Sequence, residues 1–289
     1  MSDVVVGLDV GTTRVKAVAF EVNGSEGAGS RTWSADRPSG VVASAPGRQE
    51  LDPDGLVDAV LGVLADLVTA IDGRAVSAVG VSTAMHGLVG LDDRRQPIGP
   101  LIGWGDERAA STAASLRADP ETMTSLGFTG TPVHPMSPLV KLRWLADHDP
   151  AAHAAARWWV GIKEIVLQAL SGELVVDESS ASGSGLLDVT TRTWSPAALQ
   201  VAGTDATRLA RVATGSTVLS LCGAAAVATG IPAATPSWAT RWTPVSAQKG
   251  TVAPGRTPCT RTSFDTVARR PRPRVLMQEP CPTSAGRAT

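Results

Sequence analysis

The fold is decided by residues 4–18, which read VVVGLDVGTTRVKAV. An apolar run ends in Asp-x-Gly-Thr-Thr and a second apolar run follows a lysine, which predicts two strands joined by a tight turn at Gly11. Such a turn can bind phosphate oxygens, because glycine lets the backbone approach closely and successive N–H groups form an anion nest. Asp9 could hold Mg²⁺ through water, since hard cations prefer oxygen ligands. An ordinary hairpin with Asp9 and Thr12 as turn residues explains this segment alone equally well.

Length, charge and cysteine content exclude several classes of protein. At 289 residues and 43% hydrophobic content, the chain can form one large domain or two ordinary ones. A net charge of -1 gives no general attraction to nucleic acid or membranes, and neither is an expected partner. No apolar run reaches the ~18–20 residues of a membrane span. Three cysteines without metal-ligand spacing, and no signal peptide ahead of them, predict a cytoplasmic location.

The charge is distributed unevenly along the chain. Residues 236–289 hold nine Arg or Lys against two acidic residues, together with eight of the twenty prolines. Residues 1–235 hold seventeen basic and twenty-five acidic residues. The sequence therefore predicts a folded domain over residues 1–235 and a basic, proline-rich tail over residues 236–289 without regular structure.

Beyond the first hairpin, strands mix with helices. Asp52 followed by Pro53 predicts the start of a helix, and Asp72-Gly73 predicts its end. Asn23-Gly24 predicts a turn after the second strand. Strands are predicted over residues 4–10, 15–22, 78–82, 88–91 and 100–104, and helices over residues 53–71, 139–145, 162–170 and 196–201. This order predicts an α/β domain with a mixed sheet flanked by helices.

Polar side chains follow two of the later strands. His86, in Met85-His86-Gly87, could donate to a substrate hydroxyl or carboxylate, and an ordinary loop histidine is the alternative. Trp104-x-Asp106-x-Arg108 opens a helix after another strand. There Asp106 could accept from polyol hydroxyls and Arg108 could pair with an anion. The spacing fits a simple helix cap by Asp106 equally well.

Two more segments add histidine and lysine. Residues 130–138 contain three prolines within seven positions, which makes a stiff loop around His134. Lys141 and Trp144 lie on one face of the helix that follows. Lys163 lies near the start of a later helix, where anions are already favoured. Ordinary surface helix chemistry is the alternative in each case.

In sequence order these motifs are Asp9–Thr13, Met85–Gly87, Trp104–Arg108 and Met136–Leu145. Together they resemble the FGGY family of carbohydrate kinases, and residues 136–148 look like its first signature pattern throughout. Residues 129–138 and 161–164 are similar to the gluconate kinases of that family. The runs 176–182 and 187–189 also fit the end of its first domain, so the resemblance covers residues 3–235.

The resemblance implies an actin-like, ribonuclease H-like kinase of two similar domains. ATP and Mg²⁺ would bind in the cleft between them, with the sugar mainly on the first domain. Asp9 would lie beside Mg²⁺. The groups implied to face the phosphates of ATP are Gly11, Thr12, Thr13 and Lys16. The candidates for the substrate pocket are Met85, His86, Asp106, Arg108 and Lys163.

The implied reaction is ATP-dependent phosphorylation of a sugar acid, D-gluconate to 6-phosphogluconate. Lys163 and Arg108 suit a sugar acid, whose carboxylate needs a cation that a neutral ketose does not. A kinase for another sugar or polyol such as xylulose, or a non-catalytic domain that binds sugar acids, are the alternatives. A homodimer is compatible with each of them.

The chain departs from the family pattern near its end. The family's catalytic base is an aspartate at the start of the second domain, in a Gly-x-x-Asp-Gly-type strand end expected just after Pro236. Residues 237–246 contain no acid, and the next one is Asp265. No catalytic base is therefore expected in this chain, and the second phosphate motif is missing too. A frameshift or truncation after residue 235 is the simplest explanation, and a genuine basic tail that binds nucleic acid or another partner is the alternative.

Overall fold

The computed structural model describes residues 3–22, 31–42, 45–214 and 217–239. Its strands are β1 Val4–Val10, β2 Arg14–Glu21, β3 Thr32–Pro38, β4 Val41–Val42, β5 Glu50–Leu51, β6 Val76–Thr83, β7 Val89–Leu91, β8 Leu101–Ile102, β9 Trp158–Val160, β10 Val175–Asp177, β11 Leu187–Asp188, β12 Thr193–Trp194, β13 Arg211–Ala213, β14 Leu219–Ser220 and β15 Pro236–Ala239. Its helices are α1 Pro53–Ala70, α2 Ala110–Ala118, α3 Pro120–Ser125, α4 Pro138–His148, α5 Pro150–Ala155, α6 Ile162–Ser171, α7 Glu178–Gly183, α8 Pro196–Ala202 and α9 Gly223–Thr229.

The main sheet has six strands in the order β14-β15-β6-β1-β2-β3. β1 is antiparallel to β2 and parallel to β6, and β15 is parallel to β6. The carboxyl ends of β1, β6 and β15 therefore lie at one edge of the sheet. The amide of Ala84, which follows β6, donates to the carbonyl of Val10, the last residue of β1, at 2.8 Å. The predicted mixed sheet is confirmed, and this edge positions the site.

The core follows directly from local sequence patterns. Every second residue of β1 is buried, because successive side chains of a strand point to opposite faces. Helix α1 begins as predicted: the side chain of Asp52 accepts from the amide of Asp54, and Pro53 takes the first helical position. Its apolar stripe packs against β2 and β3. Each fully buried Leu or Val of this stripe contributes about 1.5–3 kcal/mol.

A second apolar cluster surrounds α4 and α8. Leu139 and Leu142 of α4 are buried in it, together with Trp159 of β9. α4 also begins with a proline, Pro138, at its first turn. This cluster fixes α4 beside the loops that follow β6 and β8. Among the described residues, no helix combines the length and the hydropathy needed to cross a membrane.

The structure extends the first domain beyond the sequence-based limit at residue 235. β15 pairs with β6 on one side and with β14 on the other, so residues 236–239 belong to the main sheet. Two backbone hydrogen bonds of 3.0 Å hold the residues just before this strand. The amide of Leu221 donates to the carbonyl of Thr235, and the amide of Ala234 donates to the carbonyl of Leu221. The expected end of the folded domain at residue 235 is thus four residues too short. The rest of the tail and the Asn23-Gly24 turn lie outside the described residues.

Candidate active site

The turn between β1 and β2 is held in place by Ser39. The amide of Gly11 donates to the carbonyl of Arg14 at 3.0 Å, which closes the turn. Ser39 is fully buried and donates its hydroxyl to the carbonyl of Gly11 at 2.8 Å and its amide to that of Thr13 at 3.0 Å. A β-carbon at Gly11 would lie 3.0 Å from the carbonyl oxygen of Arg14, which favours glycine. Gly11 therefore shapes the turn, and its own amide is already used.

The remaining polar groups of this turn are unengaged. Within the described part of the chain, the hydroxyls and amides of Thr12 and Thr13 make no hydrogen bond. Asp9 and Lys16 lie opposite each other in register, both exposed, and Asp9 makes no ion pair with the described residues. These groups fit ATP phosphates and a Mg²⁺ ion. Since the described residues contain no group of three potential metal ligands, most ligands of that ion would be phosphate and water oxygens.

A cavity lies after β6, at the same sheet edge. Met85, His86, Gly161 and Lys163 are among its lining residues. His86 has a φ of 66°, which residues with a side chain adopt at a cost. Burial lowers the pKa of His86, so its imidazole is neutral at pH 7. Its Nδ1 is buried without a hydrogen-bond partner among the described residues. The ring therefore has an unused hydrogen-bonding atom beside the cavity.

Lys163 reaches the cavity with its charge already balanced. Its Nζ donates to the carbonyl of Val81 at 2.8 Å and lies 3.3 Å from Oδ2 of Asp177. Both side chains of this ion pair are buried, at 4% and 7% exposure. Asp177 also caps α7, accepting from the amide and the hydroxyl of Ser180. Lys163 therefore borders the cavity, but its charge is already paired with that of Asp177.

Glu164 adds a third titratable group to the cavity wall, beside His86 and Lys163. Its Oε2 accepts from the amide of Gly161 at 3.1 Å, which completes a capping box at the start of α6. Burial raises the pKa of Glu164 to about 7. The spacing of Gly161 and Glu164 was visible in the sequence, but only the fold shows that this carboxyl faces the cavity.

Asp106 and Arg108 form a separate ion cluster that does not line the cavity. Arg108 binds both oxygens of Asp106 at 2.8 Å and contacts Glu50, and Asp106 also accepts from the amide of Gln49 at 3.0 Å. These bonds lower the pKa of Asp106, although burial opposes them as the largest single effect. Asp106 is 2% exposed. The structure thus offers no free oxygen of Asp106 to a polyol and no unpaired Arg108 to an anion, contrary to the roles expected from the sequence.

The structure therefore divides the predicted site residues into three groups. The first group is the turn after β1, Gly11, Thr12 and Thr13, with Asp9 and Lys16 on the strands beside it. The second group borders the cavity after β6 and consists of Met85, His86 and Lys163. The third is the ion cluster of Asp106 and Arg108. Sequence reasoning did not assign Glu50, Gln49, Asp177 or Glu164 to the site. Among these, only Glu164 could have been found from the sequence, because its partner Gly161 lies three residues away. The partners of the other residues are distant in the sequence.

A mixed sheet of this order with flanking helices is the actin-like ATPase fold. Residues 4–241 match the FGGY family of carbohydrate kinases, N-terminal domain. The chain belongs to this family, whose members are phosphotransferases with an alcohol group as acceptor.

Individual relatives differ in their substrates. The gluconokinase of Bacillus subtilis is 29% identical over 226 residues, which are 77% of this chain and 42% of that relative. A gluconate kinase from Lactobacillus acidophilus superimposes with a TM-score of 0.76 at 30% identity. A xylulose kinase from the same organism gives the same values. Both alignments cover 82% of this chain and 47% of the solved one. The chain thus spans less than half the length of these relatives.

Proposed function

We propose that this chain supplies the sugar-binding half of a kinase that phosphorylates a sugar acid, with D-gluconate as the favoured acceptor and 6-phosphogluconate as the product. The shared sheet edge carries this proposal. The unengaged groups of Thr12 and Thr13 and the unpaired Nδ1 of His86 follow neighbouring parallel strands. A phosphate donor and a hydroxyl acceptor bound at these two places would lie close enough to react. The gluconokinase relatives and the similarity of residues 129–138 to gluconate kinases favour gluconate.

The reaction requires positioning more than covalent participation by the protein. An acceptor hydroxyl oxygen bonds to the γ-phosphorus of ATP, the bond to the β–γ bridging oxygen breaks, and the hydroxyl proton passes to a base. ATP and Mg²⁺ supply the leaving group and the neutralisation of its charge. In this chain, the turn at Thr12 and Thr13 would hold phosphate oxygens. Lys163 would donate a hydrogen bond to the sugar, and Nδ1 of the neutral His86 ring would accept one from a sugar hydroxyl, because the ring N–H binds the carbonyl of Gly183.

We expect no carboxylate base directly after β15. β15 runs parallel to β6, so its carboxyl end lies at the same edge as His86. The aspartate expected from the family resemblance would follow this strand. The sequence continues there with Thr240, Arg241 and Trp242, none of which can act as a carboxylate base.

A neutral sugar is the second candidate acceptor, and the pairing of Lys163 favours it. The ammonium of Lys163 is balanced by Asp177, so a sugar carboxylate would compete with a buried carboxylate for the same charge. A ketose such as xylulose needs only hydrogen bonds, which Lys163 can donate and Nδ1 of His86 can accept.

Calorimetric titration of the chain with gluconate and with xylulose tests the proposal. We expect saturable binding of gluconate that is tighter than binding of xylulose, and its loss in His86→Ala. His148→Ala is the matched control, because His148 is exposed at the end of α4, away from the cavity. Tighter binding of xylulose would identify a neutral sugar as the substrate. Absence of binding by either sugar would overturn the assignment of this pocket.

A further inference from the structure

Lys141 is buried where two loops meet. It is 1% exposed, and its Nζ donates to the carbonyl of His86 at 2.6 Å and to that of Gly103 at 2.7 Å. The carbonyl of Ile102 lies 3.4 Å away. Among the described residues, no carboxylate lies within ion-pair distance of this ammonium. Its hydrogen bonds therefore all go to backbone carbonyls.

The two loops come from different parts of the fold. His86 follows β6 and borders the cavity, whereas Gly103 follows β8 and begins the segment that contains Asp106. Helix α4 brings Lys141 between them and is itself fixed by its buried leucines. The segment after β8 is held on its other side by Gln49, whose carbonyl and side chain accept from the amides of Gly103 and Gly105 at 2.7 Å each.

A buried ammonium is costly, so an apolar side chain would stabilise the core better if packing were its only role. Burial lowers the pKa of Lys141 to about 7, although the charge of Asp106 opposes this shift. The carbonyl that Lys141 binds most closely belongs to His86, the residue with the left-handed backbone. Lys141 thus acts on the conformation that directs the His86 ring.

We propose that Lys141 is a positioning residue, whose ammonium joins the carbonyls of His86 and Gly103 and thereby sets both the direction of the His86 ring and the place of the loop behind the pocket. The sugar-binding part of this inference rests on the proposed function. The structural part does not, because it concerns two loops that can be observed without any ligand.

Histidine titration by NMR separates positioning from simple packing. The charges of Lys141 and His134 both lower the pKa of His86, while the carbonyl of Gly183 raises it. Lys141→Met keeps the length of the side chain and removes its charge, so His86 should titrate at a higher pH. Arg143→Met on the same helix is the control.

The control has its own expected effect. The charge of Arg143 lowers the pKa of His153, after burial and Arg208. Arg143→Met should therefore shift the titration of His153 and leave that of His86 unchanged, whereas Lys141→Met should do the reverse. A variant that merely loosened the core would not produce this crossed pattern.

Amide exchange in the two loops and sugar binding complete the test. In Lys141→Met we expect amide exchange of residues 86–88 and 103–105 to accelerate, and gluconate binding to weaken about tenfold or more, because misplaced binding groups lose affinity steeply. Arg143→Met should change neither. A folded Lys141→Met with unchanged exchange and an unchanged His86 titration would overturn the proposal. If the wild-type chain binds no sugar, the pocket assignment fails, while exchange and titration still decide the role of Lys141.

The proposal stays testable if Lys141→Met does not fold. Lys141→Gln retains a hydrogen-bond donor but no charge. Amide exchange of the two loops in this variant should be faster than in the wild-type chain and slower than expected for Lys141→Met. In the wild-type chain labelled at its lysine side chains, Lys141 should titrate near pH 7, and His86 should show a second inflection at the same pH. Titration of Lys141 near its ordinary value of 10.5 would contradict the buried bridge between the two loops.

Discussion

The buried ion pair of Lys163 and Asp177 should make the fold sensitive to the loss of either charge. Its atoms are 3.3 Å apart, and its side chains are 4% and 7% exposed. Asp177→Asn keeps the size of the side chain and an oxygen that can accept from the amide of Ser180, but it removes the negative charge. The ammonium of Lys163 then keeps the carbonyl of Val81 as a partner.

The expected loss follows from that burial. Removing one partner of a buried pair costs about 3–5 kcal/mol, because the other charge remains buried without compensation. Since the carbonyl of Val81 still binds Lys163, we expect the lower end of this range for Asp177→Asn, about 3 kcal/mol of the free energy of unfolding.

Urea unfolding of the chain, followed by circular dichroism, measures this loss. Asp149→Asn is the matched control, because Asp149 caps α5 through the amide of Ala152 but is exposed and makes no ion pair with the described residues. The free energy of unfolding of Asp149→Asn should fall by less than about 1 kcal/mol, since asparagine caps helices nearly as well as aspartate.

A double-mutant cycle with Lys163→Met completes the experiment. The double variant should lose clearly less stability than the sum of the two single losses, because neither charge is then left alone. Equal losses for Asp177→Asn and Asp149→Asn, or strict additivity with Lys163→Met, would refute the interpretation of the pair as a compensated buried charge.

Two further predictions concern the same cavity. Because the folded state raises the pKa of Glu164 from 4.5 to about 7, this group stabilises the fold fully below pH 4.5, and the contribution, up to about 3 kcal/mol, is lost as the pH rises to 7. The urea midpoint should change less with pH across this range in Glu164→Gln than in the wild-type chain, whereas Glu121→Gln should leave this pH dependence as it is. An unchanged pH dependence in Glu164→Gln would contradict the burial of Glu164. A β-carbon at Gly183 would lie 2.1 Å from Cε of Met85 and would displace this side chain at the cavity. Calorimetry of Gly183→Ala should therefore show about tenfold weaker sugar binding, and Gly127→Ala should bind sugar as the wild-type chain does. Equal affinities of Gly183→Ala and the wild-type chain would place the sugar elsewhere.

Much of the fold was predictable because its signals are local. The alternating burial of β1 and the capped, periodic α1 depend on neighbours in the sequence, and both are confirmed. β15 was not predictable, because its four residues include a proline and a serine and show no apolar alternation. It is a strand because β6 and β14 pair with it.

The location of the candidate site was predictable, but the partners of its charged groups were not. His86 stands out because it follows a buried strand, and Lys163 stands out because it lies in the first turn of a helix. The residues that neutralise Lys163 and Arg108 are Asp177 and Glu50, which only the tertiary fold brings close. For this reason the sequence suggested two free cations for a sugar carboxylate, whereas both are already paired in the structure.

We propose that this chain supplies the phosphate turn and the sugar pocket of a carbohydrate kinase and that no catalytic base follows its β15. Incubation of the purified 289-residue chain with gluconate and Mg·ATP, with 6-phosphogluconate as the measured product, tests it most directly. A positioned base contributes about 10²–10⁴-fold to such a reaction. We therefore predict no product above a control without enzyme. Turnover at the ordinary kinase rate of about 1–100 s⁻¹ would contradict the account and would show that another acid, such as Asp106 or Asp177, acts as the base.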